Sequence, residues 1–251
     1  LLATAQEFYK DLPGSQKYEK ADEDMKHVTQ MCTKCFEVEK ATNQKTYLNP
    51  ELSKEELRFI YEIDTKIRGF GNGKDPRVGE IIKARNTIRK DLALVFDCKE
   101  EQIAFTEKEA LSGDIQYMHG DLDLSGLISA EGLILPEHVG GCLDLSGLTS
   151  AEGLILPEHV GGGLDLSGLI SAEGLILPEH VSGYLYLSGL ISAEGLILPK
   201  HVGRSLHLNG LTSAEGLILP EHIGGDLGLN GLTTDERSKL RQKYPELNIR
   251  E

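Results

Sequence analysis

Five histidines recur at a fixed interval of 21 residues, and imidazoles stacked at a regular spacing could hold a transition metal. Each one lies in a stretch such as "PEHVGG", between a proline–charged pair and a glycine-containing turn. That setting is typical of exposed turn residues copied by duplication, so we expect neither a metal nor another cofactor there. The five are His138, His159, His180, His201 and His222.

Three aspartates, Asp123, Asp144 and Asp165, recur with the same interval. On adjacent parallel strands they would lie about 4.8 Å apart, and each neighbouring pair of like charges costs on the order of 1 kcal/mol. A basic partner or a bound cation would relieve this repulsion, and screening by solvent is the alternative. Calcium binding of the nonapeptide-repeat type is not supported, because Leu143 stands where that motif needs glycine.

Other chemistry-bearing motifs are incomplete. "CTKC" at 32–35 has the spacing of half a zinc site, with only His27 and Cys98 left to complete it, and we interpret its cysteines as buried thiols on a helix. "GFGNG" at 69–73 lacks the strand and helix of a phosphate loop. Catalysis needs different residues that converge on one point, whereas repetition spreads identical residues along a line. We therefore predict that the chain is not an enzyme.

The 21-residue period predicts the elements that position these side chains. Each copy is too short to bury its own apolar face, so neighbouring copies must stack into a solenoid. Within a copy, "DLDLSGL" alternates inward leucines with outward polar residues, which predicts a strand in a parallel sheet. "LILP" predicts a second extended segment, and "EHVGG" a turn. Copies begin at Asp121, Cys142, Gly163, Tyr184 and Ser205, and a shortened sixth begins at Asp226.

The rest of the chain predicts an α+β fold with caps around the solenoid. Ser53 and Glu56 form a capping box before an apolar helix that Gly69 would stop, Asp75 and Pro76 open another helix, and residues 16–42 look helical. From Asp91 the runs "LALVF" and "QIAFT" predict short strands. We assign a helical N-terminal domain to 1–90, a β-rich N-terminal cap to 91–120, about six coils to 121–232 and a C-terminal capping helix to 233–251.

The cadence L-x-L-x-x-L followed by L-x-L-P resembles bacterial leucine-rich repeats, over about residues 115–232. The chain departs from the commoner pattern because only Asn209 and Asn230 supply the asparagine that closes the strand turn. The sequence is therefore consistent with two shapes of the solenoid, a curved horseshoe and a flat β-solenoid. "LRFIYEIDTKIRGFG" and "KDPR" are similar only to uncharacterised bacterial proteins, a resemblance that implies no activity.

Differences among the copies lie in two outward columns of the first strand. In leucine-rich repeat proteins that face is the usual ligand surface, so the resemblance implies a partner-binding site in those columns. Random drift at solvent positions is the alternative. The predicted site residues are Asp123, Asp144, Asp165, Tyr184, Tyr186 and His207.

A column of isoleucines lies between the leucines of each "LIL". If that segment is a strand, the isoleucines point outward, and a contiguous exposed apolar stripe is typical of an interface. We expect self-association or docking there, and burial by a twist of the segment is the alternative. The stripe is Ile134, Ile155, Ile176, Ile197 and Ile218.

Negative charge is concentrated in the repeats. Residues 1–120 carry 22 acidic and 19 basic side chains, and residues 121–225 carry 13 and 2. This balance disfavours nucleic acid and anionic membranes and suits a basic protein partner. No apolar run approaches the roughly 18 residues of a membrane span. The compartment stays open, with the cytoplasm favoured, and a start at Leu1 leaves room for a removed leader or upstream domain.

The sequence therefore predicts a protein-recognition scaffold that binds a partner through the outward strand face. One alternative is an enzyme or effector whose active site lies in the N-terminal domain and whose repeats serve in targeting. Another is a structural or self-assembling spacer.

Overall fold

A computed structural model describes residues 15–67 and 75–250. The chain divides between Asp97 and Cys98 into two compact units, the first helical and the second a solenoid. N-terminal helices, a parallel β-solenoid of about six coils and a helix near the C-terminus make up the predicted α+β fold. Among the described residues, no helix is long and apolar enough to cross a membrane.

The first unit contains four helices and one small hairpin in its described part. The hairpin strands β1 and β2 pair antiparallel, with Phe36 opposite Tyr47. The bounds are α1 Ser15–Cys35, β1 Phe36–Val38, β2 Lys45–Tyr47, α2 Lys54–Ile60, α3 Pro76–Arg85 and α4 Ile88–Val95.

Both predicted helix starts in this unit are confirmed. The Ser53 side chain accepts a hydrogen bond from the Glu56 amide, and the Glu56 carboxylate accepts one from the Ser53 amide, which completes the capping box. Asp75 caps α3 by accepting from the Arg77 amide, and Pro76 occupies the first helical position. These caps satisfy amides that have no partner within a helix.

Three local predictions in this unit are wrong. Helix α1 ends at Cys35 because the chain turns into the hairpin, instead of continuing to residue 42. Helix α2 ends at Ile60, because Glu62 adopts a left-handed conformation and the Ile63 amide bonds back to the Arg58 carbonyl. Residues 92–96 belong to α4 and its C-cap, not to a strand. Gly69 and the segment 69–73 lie outside the described residues.

The second unit opens with a short cap and continues into paired two-residue strands. The cap comprises a 3₁₀ turn at Glu100–Gln102, β3 Ile103–Ala104, α5 Glu107–Ala110 and β4 Tyr117–Met118. The repeat strands that follow are β5 Leu122–Asp123, β6 His138–Val139, β7 Leu143–Asp144, β8 His159–Val160, β9 Leu164–Asp165, β10 His180–Val181, β11 Leu185–Tyr186, β12 His201–Val202, β13 Leu206–His207, β14 His222–Ile223 and β15 Asp226–Gly228.

These strands form two parallel seven-stranded sheets. The aspartate sheet contains the first strand of each repeat, in the order β5-β7-β9-β11-β13-β15 and then a C-terminal strand, β16 Asn248–Ile249. The histidine sheet has the order β3-β4-β6-β8-β10-β12-β14. Each step between repeat strands advances the chain by 21 residues, so equivalent side chains of successive copies lie side by side.

The second strand of each coil is not where the sequence predicted it. The strand is the His-Val pair, in the stretch predicted to be a turn, while residues 133–135 carry no strand bonding. The Leu133 amide bonds to the nearby Ala130 carbonyl, and Pro136 has no amide to donate. Backbone pairing with the neighbouring coil begins after the proline, where the Glu158 amide donates to the Glu137 carbonyl.

Leucine columns from each coil fill the core between the sheets. Leu143, Leu164, Leu185 and Leu206 are fully buried and face the same columns in their neighbours. Full burial of one such side chain stabilises the fold by about 2 kcal/mol. Val139 and its equivalents close the core from the histidine sheet.

Close packing of the coils explains one glycine column. A methyl group at Gly147 would overlap the Ser125 carbonyl of the preceding coil, and one at Gly168 would overlap the Ser146 carbonyl. The same position in the first coil, Gly126, has nothing within 4 Å. Glycine is therefore needed at this position only where another coil lies against it.

The C-terminal helix predicted to begin at Thr234 or Asp235 is α6, Thr234–Lys243. Thr233 and Glu236 form its capping box, and Glu236 also accepts a hydrogen bond from the Ala214 amide of the last full coil. Strand β16 then pairs parallel to β15. Helix and strand together follow the last coil, where terminal capping is expected in a solenoid.

Candidate functional site

One straight column on the outer face of the aspartate sheet contains five of the six predicted site residues. Backbone register pairs Asp123 with Asp144, Asp144 with Asp165, Asp165 with Tyr186, and Tyr186 with His207. The neighbouring leucines point inward, so this column points away from the core. Three acidic positions are therefore followed by two aromatic ones along the same line.

Tyr184, the sixth predicted residue, extends the aromatic end of the column sideways. Its ring stacks on Tyr186 with centroids 5.7 Å apart, and Tyr186 stacks on His207 at 4.8 Å with the rings only 12° from parallel. The Arg204 guanidinium lies over the Tyr184 ring, 5.4 Å from its centroid. We call Tyr184, Tyr186, His207 and Arg204 the aromatic patch.

Each aspartate of the column also stabilises its own turn. Asp144 Oδ1 accepts a hydrogen bond of 2.9 Å from the Ser146 amide, and Asp165 Oδ1 accepts one of 2.9 Å from the Ser167 amide. Asp123 accepts from both the amide and the hydroxyl of Ser125, and these bonds lower the pKa of its carboxyl group. This local role was not predicted, although Asp-x-Ser is a recognisable sequence signal for it.

The environment of the patch shifts two pKa values. Burial lowers the pKa of His207, and the nearby Arg250 guanidinium lowers it further, although Asp226 opposes them. Burial raises the pKa of Tyr186, with Tyr184 and Asp165 adding to the effect. Both changes favour the neutral forms of the two rings at neutral pH. The column thus changes from charged to uncharged between Asp165 and Tyr186.

Some variation in the adjacent column has a structural explanation that the sequence analysis missed. Asp121 Oδ1 accepts the Cys142 amide at 2.7 Å, and Cys142 Sγ accepts the Gly163 amide at 3.3 Å. Near the other end, Ser205 Oγ accepts the Asp226 amide at 3.1 Å. Different side chains therefore serve the same purpose there, which is to bond the backbone of the next coil.

The isoleucine stripe points to solvent, as its alternation predicted, although its segments are not strands. The exposed fraction of these side chains ranges from 64% at Ile134 to 80% at Ile176. A second column, with Ile128, Ile170 and Ile191, is also at least 59% exposed. The role of the stripe as an interface stays a prediction. Its members are Ile134, Ile155, Ile176, Ile197 and Ile218.

The histidine ladder lies in register on the histidine sheet instead of in a turn. His180 and His201 stack with centroids 5.2 Å apart and rings 13° from parallel, whereas His138 and His159 are 6.5 Å apart and tilted by 57°. Within the described part of the chain, one group brings three metal-ligating side chains within 4.8 Å of one another: Glu137, His138 and Glu158. The 21-residue period pointed to the imidazoles alone and not to these carboxylates.

The described part of the helical unit contains a buried charged network around Asp91. Arg85 donates two hydrogen bonds of 2.8 Å to the two oxygens of Asp91, and Tyr61 and Thr87 donate to the same carboxylate. Arg85 also donates to the Pro50 carbonyl. These groups satisfy one another between helices and strands of the unit, which is the arrangement of a structural network.

The cysteines of "CTKC" lie in the last turn of α1. Burial raises the pKa of the Cys32 and Cys35 thiols, which disfavours the thiolate form that zinc binds. His27 stacks on Phe59 with centroids 4.0 Å apart. The environment of all three residues is therefore that of packed core or core-edge side chains.

Comparisons with models of protein families, with curated proteins and with solved structures find no match to this chain.

Proposed function

We propose that this chain is a protein-recognition scaffold that binds its partner through the outer face of the aspartate sheet. The single observation that supports this most strongly is the register that aligns Asp123, Asp144, Asp165, Tyr186 and His207 in one column. The two sheets hold this column rigidly, so binding requires little ordering of the backbone. On this proposal the repeats are of the leucine-rich type, whose strand face serves the same purpose.

The composition of the column favours a protein partner with a basic and an apolar portion. Three carboxylates would attract lysine or arginine and speed the encounter. The aromatic patch would supply the buried contact, because tyrosine and arginine are enriched among the residues that dominate binding energy. Neither nucleic acid nor an anionic membrane suits the acidic end of this face.

We further propose that the repeats have no catalytic activity. Their outward side chains are arranged in a line, acidic at one end and aromatic at the other. They therefore do not surround one point at which a substrate could react. An active site in the helical unit is the alternative. The buried network around Asp91 does not favour it, because the ionised groups there are engaged with one another.

Affinity capture from cells that make the protein tests the binding proposal. The full chain serves as bait, beside a variant with Tyr184→Ser and Tyr186→Ser, and a control variant with His180→Gln and His201→Gln on the other sheet. We expect the same partner to be enriched by the wild type and by the control, and lost from the tyrosine variant. Equal enrichment by all three baits would refute the strand-face site.

A second candidate function, self-association through the isoleucine stripe, is supported by the exposure of all five side chains. Contiguous apolar surface of this kind is uncommon on monomers. A second copy would present isoleucines at the same repeat spacing, so the two stripes could interdigitate. Sedimentation velocity of the full chain tests this, and Ile155→Thr, Ile176→Thr and Ile197→Thr together should abolish any dimer. A wild-type chain that sediments as a monomer at high concentration would contradict it.

A further inference from the structure

We propose that Glu137, His138 and Glu158 form a binding site for a divalent transition-metal ion, with Zn²⁺ as the ion best matched to the donors. The site lies on the histidine sheet and does not depend on the protein-binding proposal. Its three ligand atoms, one imidazole nitrogen and two carboxylate oxygens, lie within 4.8 Å of one another.

The chemistry of the donors selects the class of ion. Imidazole is a ligand for zinc, copper, nickel and iron, and a poor one for magnesium or calcium, which prefer oxygen donors. Zinc accepts both imidazole and carboxylate ligands and binds three protein groups with a water molecule as the fourth. Two carboxylates and a neutral imidazole together also balance the charge of a divalent ion.

The backbone holds the three residues in place. His138 pairs in register with His159 on the adjacent strand, and the Glu158 amide donates a hydrogen bond of 2.9 Å to the Glu137 carbonyl. Two glutamates from successive coils are thereby fixed beside each other. Among the described residues, neither carboxylate forms an ion pair with lysine or arginine. A bound cation would remove the repulsion between them.

The equivalent positions in the later coils, which the structure describes in full, lack this arrangement of three ligands. The same Glu-His pair recurs in later coils, yet the described residues converge as three ligands only in the first two. His138 is half-buried, whereas His180, His201 and His222 are exposed. Lys200 replaces glutamate in the fourth copy and would repel a cation there. The ladder thus offers a matched comparison within one molecule.

Metal titration of the full chain tests the assignment, with ZnCl₂ by isothermal titration calorimetry and with CoCl₂ by visible absorption. We expect one ion per chain and release on addition of a chelator. Cobalt should give the intense visible bands of a four-coordinate site. His138→Gln, or Glu137→Gln with Glu158→Gln, should weaken zinc binding at least tenfold. The control, His180→Gln with His201→Gln, should retain wild-type affinity.

Three results would overturn the proposal. One is the absence of saturable zinc or cobalt binding by the wild-type chain. Another is unchanged affinity in the His138 and double-glutamate variants. The third is an equal loss in the His180 and His201 control, which would indicate a diffuse ladder and not this site. Circular dichroism of each variant, with melting followed at 222 nm, confirms that a lost affinity does not reflect an unfolded chain.

Discussion

Tyr186 and His207 stack face to face on adjacent strands, with ring centroids 4.8 Å apart and an interplanar angle of 12°. They occupy the positions that Asp144 and Asp165 hold in earlier coils, so one column changes from acidic to aromatic. A stacked aromatic pair contributes about 1 kcal/mol beyond the area that it buries. The predicted partner surface is therefore also part of the cohesion between coils.

Acid should weaken this stack because of His207. Its folded-state pKa is depressed by burial and then by Arg250, so the unfolded chain binds the proton more readily. The stability from His207 is complete above the unfolded pKa of about 6.5 and is lost as the pH falls through the folded value. An NMR titration of the His207 ring proton should show the depressed pKa. A value at or above that of a solvent-exposed histidine would contradict the prediction.

Replacing Asp91 should destabilise the helical unit and remove part of its acid sensitivity. Burial disfavours the charged carboxylate, but hydrogen bonds from Arg85, Tyr61 and Thr87 outweigh it and leave its pKa below the usual value. Asp91→Asn leaves Arg85 buried without its counter-charge, which should lower stability by about 3 kcal/mol.

The direction of this pKa shift determines how the stability of the helical unit depends on pH. Because the folded pKa of Asp91 is depressed, its stabilising effect is present above the unfolded pKa and is lost as the pH falls through the folded value. Urea unfolding followed by circular dichroism at 222 nm should therefore show a flatter acid limb for Asp91→Asn than for the wild type. Parallel acid limbs would show that Asp91 is not the titrating group.

A glycine-to-alanine substitution should lower the melting temperature in an inner coil and leave it unchanged in the first coil. Gly168→Ala places a Cβ against the Ser146 carbonyl, and the coils must separate locally to accept it, at a cost of about 2 kcal/mol. Gly126→Ala, at the same position of the first coil, meets nothing within 4 Å and should leave the melting temperature unchanged. Equal melting temperatures for the two variants would contradict the close inter-coil contact.

Charge can be removed from the acidic column without loss of its turns. In Asp123→Asn, Asp144→Asn and Asp165→Asn, the remaining side-chain oxygen can still accept the amide two residues later. We expect the triple variant to fold with unchanged or slightly higher thermal stability, since like-charge repulsion is relieved. A drop of several degrees would mean that the full charge is needed to cap the turns.

The sequence predicts the aspartate sheet well and the histidine sheet poorly, for a physical reason. In "DLDLSGL", Leu122 and Leu124 alternate with outward polar residues, and the strand Leu122–Asp123 lies within that alternation. The His-Val strand has no such alternation on either side, because it lies between a proline–charged pair and glycines, which favour a turn. Which backbone groups find partners in the next coil depends on stacking, and no single copy reveals that.

Residues 92–96 form a short apolar run that periodicity cannot assign to helix or strand, and their helix follows from packing in the first unit.

The sequence predicted which side chains share a column, but not which ones converge on a point. The columns of the candidate face follow directly from the 21-residue repeat. The grouping of Glu137 and Glu158 around His138 did not follow from it, because the histidine ring orientations differ from one pair of coils to another.

Photo-crosslinking from within the column tests whether the aspartate sheet binds a partner. A photoreactive phenylalanine analogue replaces Tyr186 in the full chain, and in a control chain it replaces His180 on the histidine sheet. After irradiation of cells that make the protein, we expect one discrete crosslinked protein from position 186 and none of that species from position 180. The same crosslinked protein from both positions, or from position 180 alone, would contradict partner binding by the aspartate sheet.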